Sequence, residues 1–337
     1  MKALIYEGPR SMHMREVEIP VPKADEVLIR VERAGICGSE LSGYLGHNSL
    51  RKPPLIMGHE FAGTIAMTGS AVSRFSPGER VTANPLVSCG RCRACTTGAA
   101  QLCRERQLLG AHRPGAFAEF VTVAEKNVHA LPSHVSMDEG ALTEPFACAV
   151  HICKLLKPFP TDRLLIMGAG PIGLLALQAA HAFGLRNVAV IDINEERLEI
   201  AEELGAQTAR HVSDLADGTF DAAVDAVGMQ ITRQTCVDHV NPGGRVVFTG
   251  LHEEASMLPV NKLIRSEIQV TGAFAYHSDD FETALQWISE GRVSLAPWTK
   301  HAPLEQGGAC FETLIANPGK TAKIMLTLSD SEKELQE

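Results

Sequence analysis

Aromatic side chains are scarce in this sequence, and acidic side chains outnumber basic ones. Its 337 residues include 2 Trp, 3 Tyr and 12 Phe. The 31 Lys and Arg residues against 40 Asp and Glu residues give a formal net charge of −9 at pH 7. Such a chain repels phosphate backbones and offers few side chains on which bases stack. These features argue against nucleic acid as the main partner.

The sequence also lacks a typical export or membrane segment. Its first ten residues contain no apolar stretch of signal-peptide length. Residues 164–185 carry no charge, but three glycines and a proline interrupt them between positions 168 and 173. This pattern indicates a strand, a glycine-rich turn and a helix rather than a membrane span. We therefore expect a cytoplasmic protein with no membrane partner.

A chain of this length has no need of disulfide bonds, yet it has nine cysteines. Four of them lie within 15 residues, at Cys89, Cys92, Cys95 and Cys103. Four thiolates this close together can form a tetrahedral shell around Zn²⁺. A closed shell has no position open to substrate, so we expect a structural zinc site. A redox or disulfide cluster and an iron–sulfur cluster are the alternatives.

The pattern of apolar residues changes along the chain, which indicates two domains. Residues 1–145 are rich in predicted strands and in Pro and Gly, typical of a barrel-like body with functional loops. Residues 148–276 alternate predicted strands with predicted helices, which favours a parallel, doubly wound sheet. After these come a predicted helix near 280–290, a short strand at 322–327 and a polar tail at 329–337.

A glycine motif between a predicted strand and a predicted helix indicates a dinucleotide site. The motif consists of Gly168, Gly170, Pro171, Ile172 and Gly173, with Ala169 inside it. Asp192 follows Gly173 by 19 residues, at the end of the next predicted strand. A carboxylate there accepts hydrogen bonds from ribose hydroxyls and repels a 2′-phosphate, so NAD is favoured over NADP. Arg197 either stacks on the adenine or is a solvated residue of its helix.

A second group of possible metal ligands is dispersed along the sequence. Its members are Cys37, His59, Glu60 and Glu144. Side chains of these types can supply three or four ligands while one position stays open, as in catalytic zinc sites. Spacing alone leaves open the alternative that the cysteine and histidine are core residues.

In the order and spacing of its motifs, the chain resembles the zinc-dependent medium-chain dehydrogenases. These include the alcohol dehydrogenases and the branch with sorbitol, threonine and galactitol-phosphate dehydrogenases. The motifs are Gly-Ile-Cys-Gly-Ser at 35–39, Gly-His-Glu at 58–60, the four cysteines, Gly-Ala-Phe-Ala-Glu-Phe at 115–120, Glu-Pro at 144–145 and the glycine motif. The resemblance implies a GroES-like catalytic domain at 1–147 and 277–337, with a structural zinc lobe at about 85–110. It places a Rossmann domain at 148–276.

The resemblance also assigns roles to individual residues. Cys37 and His59 match the first two ligands of the catalytic zinc, and Glu60 matches a glutamate that ligates directly or sits behind the metal. Glu144 falls where the polyol branch has a glutamate that binds zinc directly or through water. Ser39 matches the residue that takes the proton of the substrate.

The chain departs from the family pattern at two positions. Glu40 stands where most members have an Asp that orients the metal-bound histidine, so the extra methylene is expected to tilt that support. Ser42 replaces a histidine that passes the proton to solvent. His47 or bound water are the candidates for that second role.

The function implied is reversible oxidation of a secondary alcohol of a polyol, sugar alcohol or sugar acid to the ketone. The implied cofactors are NAD and two zinc ions, one catalytic and one structural. Three further residues end strands expected to line the cofactor cleft: Gly228, Thr249 and Gly250. Substrate residues are expected at 42–57 and 112–118, where His112 faces either the pocket or solvent. Pairing through an edge strand at 268–273 implies a homodimer or homotetramer.

Other functions stay open. Within the enzyme class they are L-threonine 3-dehydrogenase and butanediol or another secondary-alcohol dehydrogenase. A zinc-free quinone reductase would lack both the cysteine lobe and the pair Cys37 and His59. Outside the enzyme class, the alternative is a non-catalytic zinc-binding protein on a dehydrogenase fold.

Overall fold

The structure, a computed structural model, describes residues 1–216, 218–295, 298–316 and 318–328. The chain divides into two compact units. The first consists of Met1–Glu144 and Thr299–Glu337, and the second of Pro145–Trp298. The predicted polar tail at 329–337 lies outside the described residues.

The first unit is rich in β-strands. Its strands are β1 (Lys2–Gly8), β2 (Ser11–Glu16), β3 (Glu26–Gly35), β4 (Leu55–Ile56), β5 (Glu60–Thr68), β6 (Arg80–Ala83), β7 (Leu86–Val87), β8 (Gln107–Leu108), β9 (Phe120–Ala124), β10 (Val128–Ala130), β17 (Thr299–Pro303) and β18 (Lys323–Thr327). Its helices are α1 (Gly38–Tyr44), α2 (Arg93–Thr96), α3 (Met137–Ala141) and α10 (Gly307–Ala316).

The central sheet of this unit has seven strands, and β3 is its hub. The order is β10-β6-β5-β3-β18-β17, and β9 also pairs with β3. Val27, Leu28 and Ile29 of β3 are all buried, so both faces of the strand are covered here, whereas strict alternation would bury only one face. Smaller sheets have the orders β2-β1-β4 and β7-β8. This β-rich body agrees with the predicted barrel-like domain.

The second unit alternates strands and helices. Its elements begin with α4 (Thr143–Leu156), which crosses the division between the units, and continue with β11 (Arg163–Met167), α5 (Pro171–Ala182), β12 (Asn187–Ile191), α6 (Glu195–Glu203), β13 (Gln207–Ala209), β14 (Phe220–Asp225), α7 (Gln230–His239), β15 (Val240–Phe248), α8 (Val260–Arg265), β16 (Gln269–Gly272) and α9 (Ser278–Ser289). Residues 241–244, whose sequence Asn-Pro-Gly-Gly is typical of a turn, form an irregularity inside β15 where the pairing with β14 shifts.

The six strands of this unit form one parallel sheet in the order β13-β12-β11-β14-β15-β16. This is the order of a doubly wound dinucleotide-binding sheet, 3-2-1-4-5-6 along the chain. The strand order therefore reverses between β11 and β14, so the carboxyl ends of these two strands flank the expected ligand crevice. The predicted α/β fold class is confirmed.

Helix α9 belongs to the second unit, whereas the predicted boundary at 277 would join it to the first. Its apolar side is buried through Phe281, Ala284 and Ile288. Asp280, in its first turn, accepts a hydrogen bond from His151 Nδ1 at 2.8 Å, which joins α9 to α4. These contacts are distant in the sequence, so the apolar pattern alone does not reveal the attachment.

Among the described residues, the structure has no helix with both the length and the apolar character needed to cross a membrane.

Candidate metal centres and dinucleotide site

Three of the predicted zinc ligands lie together in the first unit. Cys37 precedes α1 as its N-cap, His59 precedes β5, and Glu60 is the first residue of β5. One potential ligand atom from each lies within 4.8 Å of the other two. His59 and Glu60 are buried, and Cys37 is half-buried. A thiolate, an imidazole and a carboxylate at this separation fit one divalent zinc ion.

Glu40 fixes this group through hydrogen bonds to its carboxylate. Its carboxylate accepts hydrogen bonds from His59 Nδ1 at 2.7 Å, Gly58 N at 2.9 Å and Cys37 N at 3.1 Å. Burial raises the pKa of Glu40, but His59 and Arg51 outweigh burial and the net pKa is lowered. The extra methylene of Glu40, compared with Asp, therefore does not remove the hydrogen bond that orients His59. Because Nδ1 faces Glu40, His59 presents Nε2 to a metal.

Lys323, on β18, is a neighbour of the group that the sequence analysis missed. Its ammonium donates to both oxygens of Glu60, at 2.6 and 2.8 Å, and to Ile36 O at 3.1 Å. Burial lowers the pKa of Lys323, but Glu60 and Cys37 outweigh that effect and the pKa is raised. A lysine that begins an otherwise apolar strand was the available signal. Its position indicates that Glu60 is held by a protein cation, with or without a metal.

Arg51 is a second residue that the sequence analysis missed. Its guanidinium donates to Ser39 O at 3.0 Å and to Ser39 Oγ at 3.1 Å, and Ser39 Oγ donates to Cys37 Sγ at 3.4 Å. Arg51 is 4% exposed. A Cβ on Gly43 would lie 2.5 Å from Arg51 Cδ, so the glycine makes room for the arginine stem.

The other predicted residues of this region lie less close to the cluster. Glu144 is buried near the start of α4 but is outside the group whose ligand atoms lie within 4.8 Å of one another. Ser42 is half-buried on α1, and its carbonyl accepts a hydrogen bond from His47 N at 3.0 Å. His47 itself is exposed.

The four clustered cysteines come together in a lobe that includes β7, α2 and β8. Their sulfurs lie within 4.8 Å of one another, with Cys92–Cys95 at 3.5 Å and Cys89–Cys95 at 3.9 Å. A tetrahedral site with Zn–S bonds of about 2.3 Å places its sulfurs about 3.8 Å apart. None of the four is in a disulfide bond, so all four sulfurs are available to a zinc ion.

The local backbone favours the thiolate form of Cys89. The backbone N–H groups of Arg91 and Cys92 donate to Cys89 and lower its pKa to about 6. Since only the thiolate binds metal, this arrangement prepares Cys89 as a ligand near neutral pH. Gly90 and Gly98 adopt φ values of +73° and +85°, which the tight turns of the lobe require.

The glycine motif of the second unit forms the turn from β11 to α5. Gly168 has φ +103°, and Gly170 is the N-cap of α5. Pro171 begins the helix and is followed by Ile172. A Cβ on Gly173 would collide with the carbonyl oxygen of Gly168, so only glycine permits this approach of helix and turn. The N-terminus of α5 is thus open to an anion such as a pyrophosphate.

Asp192 lies directly after β12, where the sequence predicted it. Its Oδ2 accepts from Ala169 N at 2.6 Å and its Oδ1 from Asn194 N at 2.8 Å. The carboxylate therefore also fixes the glycine turn, a role that sequence spacing did not reveal. Arg197 lies near it on α6: burial lowers the pKa of Arg197, and Asp192 opposes that effect.

Gly228, Thr249 and Gly250 come together at the carboxyl ends of β14 and β15. Thr249 N and Gly250 N both donate to Asp225 O at 3.0 Å. A Cβ on Gly228, at φ +89°, would collide with the backbone of Gly250. The predicted cofactor residues from separate segments thus share one edge of the parallel sheet.

Two family models match the chain. Residues 23–133 match the alcohol dehydrogenase GroES-like domain, and residues 171–290 match the zinc-binding dehydrogenase model. The first lies within the β-rich unit and the second within the unit that has the parallel sheet.

Curated relatives match over nearly the full length. The starvation-sensing protein RspB of Escherichia coli K12 is 32% identical over 98% of this chain and 100% of its own. Sorbitol dehydrogenase of Bacillus subtilis is 33% identical, with 97% of each chain covered. L-threonine 3-dehydrogenase of Streptomyces coelicolor is 37% identical over 88% of this chain and 91% of its own.

Solved structures share the fold. RspB from E. coli CFT073, complexed with NADH, has a TM-score of 0.91 at 30% identity, with 97% of this chain and 99% of that chain covered. A zinc-binding dehydrogenase from Sinorhizobium meliloti, bound to NADP, has a TM-score of 0.89 at 29% identity, with 97% of this chain and 98% of that chain covered. Galactitol-1-phosphate dehydrogenase from E. coli has a TM-score of 0.90 at 30% identity, with 97% of this chain and 100% of that chain covered. Together with the two sites described above, these matches show that the chain belongs to the zinc-containing medium-chain dehydrogenases, an oxidoreductase family with a GroES-like and a Rossmann domain.

Proposed function

We propose that this protein is a zinc-dependent NAD oxidoreductase. It oxidises a secondary alcohol of a polyol, sugar alcohol or sugar acid to the ketone, reversibly. The observation that carries the proposal is the group of Cys37, His59 and Glu60, the last two of them buried, with a hydrogen bond from His59 to Glu40. Such a donor set with a hydroxyl beside it suits alcohol chemistry, and the family supplies the reaction class.

In this proposal Cys37 and His59 bind the catalytic zinc, and Glu60 and Glu144 serve it directly or through water. The bound zinc supplies a Lewis acid that lowers the pKa of an alcohol hydroxyl, and NAD supplies the hydride acceptor. Ser39 accepts the proton of the substrate hydroxyl and passes its own hydroxyl proton on, with His47 or bound water as the candidate acceptor. The ion pair with Lys323 supports an indirect role for Glu60, because both carboxylate oxygens already have a cationic partner.

We assign a second, structural zinc to Cys89, Cys92, Cys95 and Cys103. The sulfur spacing supports the assignment, since it matches a tetrahedral shell and leaves no open position. Each chain then holds two zinc ions with different work: one serves the reaction and one fixes the lobe.

For the cofactor we propose NAD, bound by the glycine motif, Asp192 and Arg197 and by the edge that includes Gly228, Thr249 and Gly250. The carboxylate of Asp192 supports this choice because it repels a 2′-phosphate. Similar proteins have been solved with NADH and with NADP, so family membership alone does not decide between the two.

A second candidate function is oxidation of L-threonine at its secondary alcohol. The observation that favours it is the 37% identity to an L-threonine 3-dehydrogenase. The chemistry at the cluster is the same for a polyol and for L-threonine. The residues that contact the remainder of the substrate therefore determine which of the two is oxidised.

We also propose a homodimer or homotetramer, formed through β16. This strand pairs with β15 and, within the described part of the chain, with no further strand. All four of its residues are exposed, and Phe274 beyond it is 41% exposed. A free edge with apolar side chains suits pairing across a two-fold axis.

The test of the function combines metal analysis with a substrate screen. We expect two zinc ions per chain and NADH formation with at least one member of a panel of diols, polyols, sugar acids and L-threonine. Cys37→Ser should abolish turnover while the circular dichroism spectrum stays native. Full activity of Cys37→Ser would refute the assignment of Cys37 as a ligand of the catalytic zinc. One zinc per chain with no turnover on any substrate would favour a non-catalytic zinc-binding protein.

A further inference from the structure

A pocket of about 820 Å³ lies in the first unit, between the segment that leads into β4 and the loop that follows β8. Its lining includes Lys52, Ile56, Gln107, His112, Arg113 and Pro114. Among the described residues that line it, none is Asp or Glu. A pocket with basic and no acidic side chains is unexpected in a chain whose net charge is −9.

The polar side chains of this pocket have unused hydrogen-bond donors. Lys52 is exposed and makes no ion pair with any described residue. Arg113 lies 3.9 Å from Glu26, beyond hydrogen-bond length, and within the described chain its guanidinium donates no hydrogen bond. His112 Nδ1 accepts from Leu108 N at 3.2 Å, so the neutral ring carries its proton on Nε2.

Backbone pairing fixes this pocket relative to His59. Gly115 N donates to Ile56 O at 2.8 Å, and Ala116 N donates to Gly58 O at 2.9 Å. A Cβ on Gly110 would lie 2.7 Å from Gly58 N, so only glycine lets this loop approach so closely. The loop that carries His112 and Arg113 is thus packed against the residue that precedes His59.

We propose that this pocket binds an anionic group of the substrate, a carboxylate or a phosphate. The inference rests on the proposed function and narrows its substrate class to anionic polyols. With an uncharged polyol, Lys52 has no ion pair among the described residues and Arg113 has only its 3.9 Å contact with Glu26. An anion with two or three oxygens accepts hydrogen bonds from Arg113, Lys52 and His112, and charge-assisted bonds of this kind are the stronger ones.

The kinetic test compares substrates that differ only in charge. Each alditol is assayed beside the aldonic acid and the alditol phosphate of the same carbon chain, for example D-glucitol, D-gluconate and D-glucitol 6-phosphate, and the galacto series likewise. We expect kcat/KM for one anionic member to exceed that for the neutral alditol by about tenfold or more, as charged hydrogen bonds allow. The carboxylate and phosphate arms show which anion is used.

Variants then locate the effect. Lys52→Met and Arg113→Met should each lower kcat/KM for the anion about tenfold more than kcat/KM for the neutral alditol of the same carbon chain. Arg113→Lys should restore part of the loss. Lys126→Met, an exposed lysine outside the pocket, is the matched control and should change neither. Equal losses for charged and neutral substrates would overturn the proposal.

A binding measurement separates this inference from the proposed function. Inorganic phosphate, added to protein without NAD at constant ionic strength, should raise the melting temperature of the native protein more than that of the double variant Lys52→Met/Arg113→Met. Phosphate binding without turnover of any alcohol would defeat the proposed function and keep the anion site. Turnover of neutral alcohols with no response to phosphate or to anionic substrates would overturn the anion site and keep the proposed function.

Discussion

Ser39 owes its position to Arg51. A serine hydroxyl has one donor and two acceptor positions. Cys37 Sγ takes the donor and Arg51 Nη2 fills one acceptor position, so one lone pair stays available for a substrate hydroxyl. A guanidinium accepts no proton, which means that Arg51 positions the serine and does not relay its proton.

Arg51→Met is therefore expected to lower kcat by about ten- to a hundredfold, the range of a hydrogen bond to a charged group. Methionine keeps much of the stem that packs on Gly43. The loss should disappear in a Ser39→Ala background if the arginine acts through the serine, because coupled residues are not additive. Steady-state kinetics of the two single variants and the double variant measure this coupling.

Arg51→Lys provides the conservative control, since one ammonium can replace one of the two hydrogen bonds. Unfolding free energies of the same four proteins give a second readout that needs no turnover. If Arg51→Met lowered kcat equally with and without Ser39, a general structural role would explain the loss.

Asp192→Ala should reduce the preference for NAD over NADP by about ten- to a hundredfold, as expected when a charged hydrogen-bond acceptor is lost. The carboxylate also accepts from Ala169 N and Asn194 N, so part of the loss can come from the turn itself. The ratio of kcat/KM for the two cofactors isolates the effect on the ribose. Comparable kcat/KM for NAD and NADP in the native protein would refute the proposed preference.

Asn194→Ala is the matched control for this loop. Its side chain caps α6 by accepting from Arg197 N at 3.1 Å and has no predicted contact with the ribose. It should lower stability without changing the cofactor ratio.

At the residue scale, the sequence predicted those functional residues that lie together in short motifs. The four lobe cysteines and the glycine motif lie within short segments, so spacing carries the geometry. Lys323 was out of reach because it meets Glu60 from 263 positions away, through the pairing of β18 with β3. Arg51 was missed because its burial depends on Gly43, which reads as an ordinary helix glycine.

Helix α9 depends on one buried carboxylate at its first turn. Asp280 accepts from His151 Nδ1 and His277 N, each at 2.8 Å, and pairs with Lys154 Nζ at 2.5 Å. Burial raises the pKa of Asp280, but the bonds from His151 and Lys154 outweigh it, so the folded pKa is lowered. The ionised carboxylate thus stabilises the folded state.

Asp280→Asn should lower the unfolding free energy by about 2 kcal/mol, within the range for breaking a buried charged network. Because the folded pKa lies below the unfolded value of about 3.9, this contribution is complete above about pH 5. It is lost as the pH falls through the folded pKa. The difference between native and variant proteins, measured by urea unfolding at several pH values, should therefore shrink in acid.

Asp279→Asn is the neighbouring control. The side chain of Asp279 is 71% exposed and bonds Lys154 at 3.2 Å. A change of less than about 0.5 kcal/mol is expected for such a surface position. An equal effect of the two variants at every pH would contradict the assigned role of Asp280.

At the element scale, helix and strand type could be predicted where apolar period and stop signals agree. Helix α6 begins at Glu195, where the short side chain of Asn194 caps it, and Gly205 at φ +91° follows its end. The irregular pairing at 241–244 was missed, because Pro and Gly there read as a turn whereas the register with β14 accommodates them. The attachment of α9 depends on His151, which no local pattern indicates.

For the whole molecule, both metal groups lie in the first unit, whereas both tryptophans, Trp287 and Trp298, lie in the second. Because tryptophan is confined to the second unit, the two units can be followed by separate measurements. Tryptophan fluorescence reports the second unit, and hydrogen exchange of peptides from 85–110 reports the lobe. A stability change confined to the metal lobe is therefore measurable without dissecting the chain.

Cys95→Ser should remove one zinc ion per chain and lower the melting temperature by about 5 °C or more, because a structural zinc contributes directly to folding. Hydrogen exchange at 85–110 should rise strongly, while the tryptophan fluorescence midpoint shifts less. Cys310→Ala, a buried cysteine of the same unit outside both metal groups, should keep its zinc content. If Cys95→Ser kept both zinc ions, or if exchange at 85–110 did not change, the lobe would have no structural zinc.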